Sequence, residues 1–228
     1  VIGCGDPEQI PAIEAGCPFR FLLERMPHVF LKEVQRQKEG WQKEATIELS
    51  TKKHSKALDR YFEHGFIFEE ESREKALEKV VAAWYQYVKA NPDKSAVMMG
   101  YRNRDVLELN LRARECLKNT GWLKAELKKT NIETKVFGKL EFAVDERVMF
   151  LRNDNALGVK NGLLGSIKRA QDRSLTVTLD RGDTISFDTR NYNDLAYGYA
   201  ATIHKLQGET VDQSFVLATP HLDRFLTN

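Results

Sequence analysis

Three short stretches of the sequence concentrate side chains able to handle phosphate. The densest runs from Tyr197 to Asp212 (YGYAATIHKLQGETVD) and packs Thr202, His204, Lys205, Gln207 and Glu209 into eight positions. Thr, His and Lys are typical contacts to a nucleic-acid backbone. Gly208 permits close backbone approach or a positive φ. The same residues also suit a plain helix with a polar last turn, His204 and Lys205 complementing its dipole. The second stretch is Gly5-Asp6-Pro7-Glu8-Gln9-Ile10-Pro11. Its Gln9 amide can donate to a phosphate and accept from the attacking water; equally, Asp6 can cap a hydrophilic turn. The third is Gln35-Arg36-Gln37. An Arg at a strand end offers phosphate a planar, always-charged fork, whereas the bland reading is a solvated Arg among many charges.

The elements that must position these groups follow from apolar periodicity. The opening Val1–Gly5 reads as the end of a buried strand running into a turn. A short helix is expected over Pro18–Glu24, a strand over Val29–Val34, and helices over Gly40–Ser50 and Lys56–His64, with Gly65 at a C-terminal cap. Residues 73–90 carry the clearest amphipathic helix, with Ala76, Val80, Ala83 and Tyr87 on its apolar face. Asn91-Pro92-Asp93 ends it. Ser95–Tyr101 (SAVMMGY) is a short continuous apolar run, as in a buried parallel strand. A further helix covers Asn103–Lys118, with Val106, Leu107, Leu109, Leu111 and Leu117 inward. Helix, strand and helix in this order imply an α/β unit with a right-handed crossover. From about Val136 to Asp188 the segments become short and β-branched. The runs 147–153, 162–170, 174–180 and 183–188 are spaced like the strands of a small antiparallel barrel, with a hairpin turn at Arg181-Gly182. The α/β pattern returns after Tyr197, with a helix expected over Ala200–Leu206 and a buried strand over Ser214–Ala218.

Composition narrows the classes. The 228 residues contain 35 Lys+Arg and 33 Asp+Glu, for a net charge of +2, with 42% hydrophobic residues. That is an ordinary globular balance able to bury a core, and it excludes a uniformly basic nucleic-acid glove while permitting a local basic groove. No apolar run approaches the ~18 residues of a membrane span. Cys4, Cys17 and Cys116 are too few and too scattered for a disulfide framework or a zinc site. They read as incidental thiols of a reducing, cytoplasmic protein. A chain that begins with Val1 at a strand end is expected to be a piece cut from a longer protein.

In their order and spacing the three stretches resemble motifs of superfamily 1 DNA helicases of the RecD-like branch. The GDPEQIP turn resembles motif III and Arg36-Gln37 motif IV. ATIHKLQGET, residues 201–210, closely resembles motif V. The nearer resemblance is to the helicase region of TraA-type conjugative relaxases, through GDPEQ followed by AIEAGCPFR and through YGYAATIHKLQGETVD. Val159-Lys160-Asn161-Gly162 fits the barrel insertion of this branch.

The resemblance implies an α/β fold: the second RecA-like lobe of a P-loop NTPase with a small SH3-like β-barrel insertion, and the C-terminal remnant of the first lobe. On that reading residues 1–72 are the remnant, 73–135 and 191–228 the second lobe, and 136–190 the insertion. It implies catalytic roles for Gln9 and Arg36 at the γ-phosphate, with Asp6, Gly208 and Glu209 near the nucleotide. It implies DNA contact by Tyr101, Arg102, Thr202, His204 and Lys205. Tyr101 either stacks on a base or is a plain strand-end aromatic.

ATP and Mg²⁺ are implied for the intact parent protein, yet no Gly-x-x-x-x-Gly-Lys-Ser/Thr phosphate loop occurs in the 228 residues. The chain alone is therefore expected to hold neither tightly and not to hydrolyse ATP. Motif VI and the relaxase domain are not in it either. Expected partners are single-stranded DNA, the missing N-terminal part of the motor and relaxase domain, and a second copy through the truncated lobe. The alternative readings are a non-catalytic single-strand-binding module, including the product of a decaying gene, and an interaction scaffold built on the barrel.

Overall fold

The computed structural model describes residues 4–6, 18–30, 34, 37–123, 129–207 and 210–219. The chain divides into two compact units, Val1–Glu69 and Glu70–Thr227.

The first unit contains helices α1 (Pro18–Leu23), α2 (Gly40–Ser50) and α3 (His54–Glu63). The last two form a hairpin held by charge and aromatic contact. Arg60 of α3 forks the buried Glu48 carboxylate of α2 at 2.8 and 3.1 Å. Such a planar two-bond pairing fixes orientation as well as distance. The Trp41 ring stacks on His64 with centroids 4.1 Å apart. Gly65, at φ 73°, terminates α3 as its position suggested. The strand expected over Val29–Val34 is absent from its described residues, Val29, Phe30 and Val34. Val29 is 90% exposed, so the apolar alternation there has no sheet to face. Val1–Gly3, most of the Gly5–Pro11 stretch and Leu31–Glu33 lie outside the described residues.

The second unit begins with α4 (Arg73–Ala90), whose N-cap Ser72 side chain accepts from the Lys75 N–H. The strand β1 (Ala96–Gly100) and helix α5 (Asn103–Asn119) follow. Leu77, Val81 and Trp84 of α4 are buried, as are Val106, Leu109, Ala113 and Leu117 of α5. These spacings of three, four and seven place each set on one stripe, and each large side chain contributes about 1.5–3 kcal/mol on burial. Leu111, expected inward, is exposed; the polar Asn110 takes the inward place beside Leu109 and Ala113. The two helices are also tied by charge. Arg73 of α4 reaches Asp105 and Glu108 of α5, each at 2.7 Å, and Arg112 of α5 pairs with Glu74 of α4.

Next come the antiparallel elements. A hairpin pairs β2 (Lys129–Thr134) with β3 (Gly138–Ala143). A five-stranded sheet comprises β4 (Arg147–Phe150), β5 (Leu164–Gln171), β6 (Ser174–Leu179), β7 (Thr184–Asp188) and β8 (Leu195–Tyr197), in the order β7-β6-β5-β4-β8. Gly182 at φ 103° makes the β6–β7 turn. Antiparallel pairing thus extends from Lys129 to Tyr197, beyond the run from about Val136 to Asp188 read from short β-branched segments. The extra strands lack a hydropathy signal for a physical reason. The buried positions of β2 are Thr130, Ile132 and Thr134, and β8 is buried at every position.

The chain then re-enters a parallel sheet. The strand β9 (Ala200–Thr202) is followed by the one-turn helix α6 (Ile203–Leu206) and by β10 (Gln213–Val216). The three-stranded sheet has the order β10-β1-β9, with both pairings parallel. The helix expected over Ala200–Leu206 is corrected in its first half. Ala200 and Ala201 are small buried residues whose backbone pairs with β1, and α6 starts only after Thr202. The strand expected over Ser214–Ala218 lies slightly earlier and is half-buried, with Val216 exposed, because β10 is the sheet's edge among the described residues.

Candidate nucleic-acid interface

Parallel strands bring their C-terminal ends to one edge, and loops leaving that edge are where open α/β sheets bind ligands. Here Gly100 of β1 is paired with Thr202 of β9. The residues just beyond them, Tyr101 and Arg102 on one side and His204 and Lys205 on the other, therefore leave the sheet side by side. The Tyr101 and His204 rings lie 5.8 Å apart, tilted by 51°. Arg102 is the extended N-cap of α5. Sequence distance hid this pairing, since about a hundred residues separate the two sides.

Thr202 is the N-cap of α6. Its hydroxyl oxygen accepts from the Lys205 N–H at 3.4 Å, and the residue is 7% exposed. Its direct role is thus to set the turn that aims the next three residues. His204 is exposed at that turn. Lys205 is half-buried, and burial alone pulls its ammonium below the usual lysine range. Among the described residues no carboxylate pairs with it. It lines a cavity of about 20 Å³ with Asn103, Phe137, Met149, Tyr197 and Thr202. The loop before β5 also approaches Lys205. Gly162, at φ 92°, lies so near that a Cβ there would sit 3.4 Å from the Lys205 carbonyl oxygen.

Two further groups hold this edge in place, and neither was singled out from the sequence. Asn110 bonds the backbone of Tyr199 and Ala200. Arg114, four residues along α5, pairs with Glu141 at 2.9 Å and with Glu146, and its guanidinium lies 5.4 Å from the Tyr197 ring centroid. The signal for Asn110 was present: it is a polar residue inside the inward stripe of an amphipathic helix, where an unpaired amide would be costly.

The nucleotide candidates are less completely placed. Gln9, Arg36, Gly208 and Glu209 lie outside the described residues. Asp6 is described and exposed. A single exposed carboxylate does not make a nucleotide or magnesium site. Among the described residues no three His, Cys, Asp or Glu converge to hold a metal, and no helix is long and apolar enough to cross a membrane.

Comparison with known proteins bears on this edge. Over 232 residues the chain is 35% identical to the conjugal transfer protein TraA of Rhizobium radiobacter, covering 100% of this chain and 20% of that protein. A probable conjugal transfer protein TraA of Sinorhizobium fredii is 34% identical over 98% of the chain and 20% of its own length. The sequence is similar to TraA conjugal transfer proteins along its whole length. It spans about one-fifth of the length of these TraA relatives. Residues 1–72 match an AAA domain model. The fold is similar to that of a Bacteroides Pif1 helicase solved with ADP-AlF3 and single-stranded DNA. The TM-score is 0.55 at 20% identity, covering 82% of this chain and 45% of that one. A second Pif1 structure, bound to single-stranded DNA, gives 0.53 at 22% identity over 81% and 44%. The architecture is accordingly α/β, with a fold similar to that of these Pif1 structures.

Proposed function

We propose that this chain supplies the strand-gripping part of an ATP-driven, single-stranded DNA motor acting in conjugative transfer in the bacterial cytoplasm. One observation carries the reading: Tyr101, Arg102, His204 and Lys205 leave one edge of a parallel sheet together, and Lys205 keeps a half-buried charge that no carboxylate among the described residues neutralises. A phosphate would neutralise it, and an aromatic beside it offers a face for a base. The kinship with conjugal transfer proteins supplies the setting.

In the parent protein, ATP and Mg²⁺ would provide the energy, with Gln9 and Arg36 sensing the γ-phosphate and Asp6, Gly208 and Glu209 near the nucleotide. The antiparallel elements, from Lys129 to Tyr197, would form an SH3-like insertion flanking the strand, with second-lobe segments before and after it. Residues 1–72 would complete a first lobe supplied by preceding chain. The exposed Phe30, Phe62 and Phe68 favour such a partner surface, or a second copy in its place. With no phosphate loop in its sequence, the chain alone would act as a passive binder.

The test is fluorescence anisotropy with an oligothymidylate across a salt series. Binding should weaken steeply with salt. Lys205→Ala should lower the log–log slope by about 0.7, the loss of roughly one phosphate contact on a single strand. Absence of binding at low salt would remove the reading. ATP hydrolysis by the chain alone, abolished in Gln9→Ala, would overturn the passive part of it.

A further inference from the structure

Asn110 is 3% exposed, and its carboxamide is fully committed. Its Nδ2 donates to the Ala200 carbonyl at 2.9 Å and to the Val106 carbonyl of its own helix at 3.0 Å. Its Oδ1 accepts from the Tyr199 N–H at 3.0 Å and the Ala200 N–H at 2.9 Å. Two donor hydrogens and two lone pairs are thereby all used. The opposite side of the same backbone faces β1, where the Met98 N–H donates to the Tyr199 carbonyl at 3.0 Å. Ala200 consequently presents both its N–H and its C=O on the outer edge of β9, where no further strand follows among the described residues. One side chain of α5 takes the place of that strand.

This has a directional consequence. Thr202, which caps α6, lies two residues after Ala200, and His204 and Lys205 follow at once. The N-terminus of the same α5 carries Arg102 as its cap, with Tyr101 before it. Eight residues of helix, about 12 Å at 1.5 Å each, separate Arg102 from Asn110. A single rigid helix thus fixes one side of the edge through its own start and the other side through Asn110.

We propose that Asn110 is a positioning residue for strand binding, holding β9 and the α6 turn in the register that brings His204 and Lys205 against Tyr101. It does not itself touch the ligand. The inference rests on the DNA-binding reading above, and its test separates the two.

The experiment compares the whole chain with Asn110→Ala, Asn110→Asp and Leu117→Ala. Leu117 is buried on the same helix, seven residues beyond Asn110, and controls for lost stability. Thermal melts set a temperature at which each variant is folded, and oligothymidylate affinity and salt slope are measured there. Amide spectra follow Tyr199–Leu206. Asn110→Ala should lose about tenfold or more in affinity, a scale typical of small misplacements, while Leu117→Ala retains wild-type affinity. Combined with Lys205→Ala, the Asn110 change should add little, because both act through one contact. Asn110→Asp keeps the acceptors and loses the donors, so affinity between wild type and Asn110→Ala supports the proposal; it also serves if Asn110→Ala does not fold. Equal affinity losses in Asn110→Ala and Leu117→Ala would overturn it. If the wild type does not bind, the DNA reading fails by itself. The spectra then decide: displaced Thr202–Leu206 resonances in the Asn110 variants uphold positioning, and unchanged ones refute it.

Discussion

Glu146 has no solvent exposure, and the guanidinium of Arg114 reaches its carboxylate from helix α5. The other carboxylate oxygen accepts the Ala143 N–H at 2.8 Å. Burial pushes the Glu146 carboxyl up, against the pull of Arg114 and that N–H. The pair therefore fastens α5 to the start of β4, and it is an arrangement in which losing one partner costs more than losing both.

Arg114→Met should destabilise the chain by about 3–5 kcal/mol near neutral pH, because an uncompensated buried carboxylate remains. Adding Glu146→Gln should recover part of that. The sign with pH follows from the raised value. In Arg114→Met, Glu146 stays buried only when neutral, so stability is retained below the unfolded carboxyl value of about 4.3 and declines as pH rises above it. Urea midpoints at about pH 5 and about pH 8 check this; a midpoint independent of pH in the single variant would contradict it.

Gly198 lies between β8 and β9, where the chain passes from the antiparallel to the parallel sheet. A Cβ there would stand 2.9 Å from the Val148 carbonyl carbon and 3.0 Å from both its oxygen and Leu164 Cδ2. Backbone cannot yield as a flexible side-chain end can. Gly198→Ala should thus cost about 1–3 kcal/mol. Gly40→Ala, facing open space at the start of α2, should change the midpoint little. Equal effects of the two would show that packing at Gly198 is not the constraint.

Much of this architecture was legible because the residues obey one period. α4 was read over 73–90 and found there, since its apolar stripe and its Asn-Pro-Asp stop agree. The strands β4–β7 were found near their expected runs, since alternation and turn glycines coincide. What was missed has a common cause. β2 buries threonines, β8 is buried throughout, and β9 buries two alanines and a threonine. None of these can show a hydropathy alternation. At the site, residue types announced His204 and Lys205, but their placement beside Tyr101 and Arg102 depends on the β1–β9 pairing. Asn110 shows in the sequence as a polar residue within an inward stripe, but what it bonds is known only once β9 is seen to end the sheet among the described residues.

Ser95 and Asp212 join the N-terminal ends of the parallel strands β1 and β10. The Asp212 carboxylate accepts from the Ser95 N–H at 2.8 Å and its hydroxyl at 2.7 Å, while the Asp212 N–H donates to the Ser95 oxygen at 2.9 Å. These bonds, with the Ser95 hydroxyl foremost, hold the Asp212 carboxyl below its usual range. A depressed carboxyl contributes stability above its unfolded value of about 3.9 and loses it as pH falls through the folded value. Asp212→Asn should accordingly flatten the acid limb of the stability curve and leave its alkaline side unchanged. An unaltered acid limb would show that this clasp adds no pH dependence.

Lys205 makes the sharpest prediction about binding. Burial lowers its ammonium, so in the free chain the charged form is penalised and folding stability rises with pH between the folded value and the unfolded value of about 10.4. A phosphate against the ammonium would reverse that penalty and raise its pKa. Binding must then take up a proton over the interval where the free chain has lost it, and affinity must fall as pH climbs. Oligothymidylate titrations from about pH 7 to about pH 10, with circular dichroism to confirm folding at each pH, should show this decline in the wild type. Lys205→Ala should bind more weakly at neutral pH and lack the decline. Lys205→Arg, charged throughout the range, should also lack it, whatever affinity its longer fork allows. The same alkaline decline in all three proteins would place the titrating group elsewhere and detach Lys205 from the bound strand.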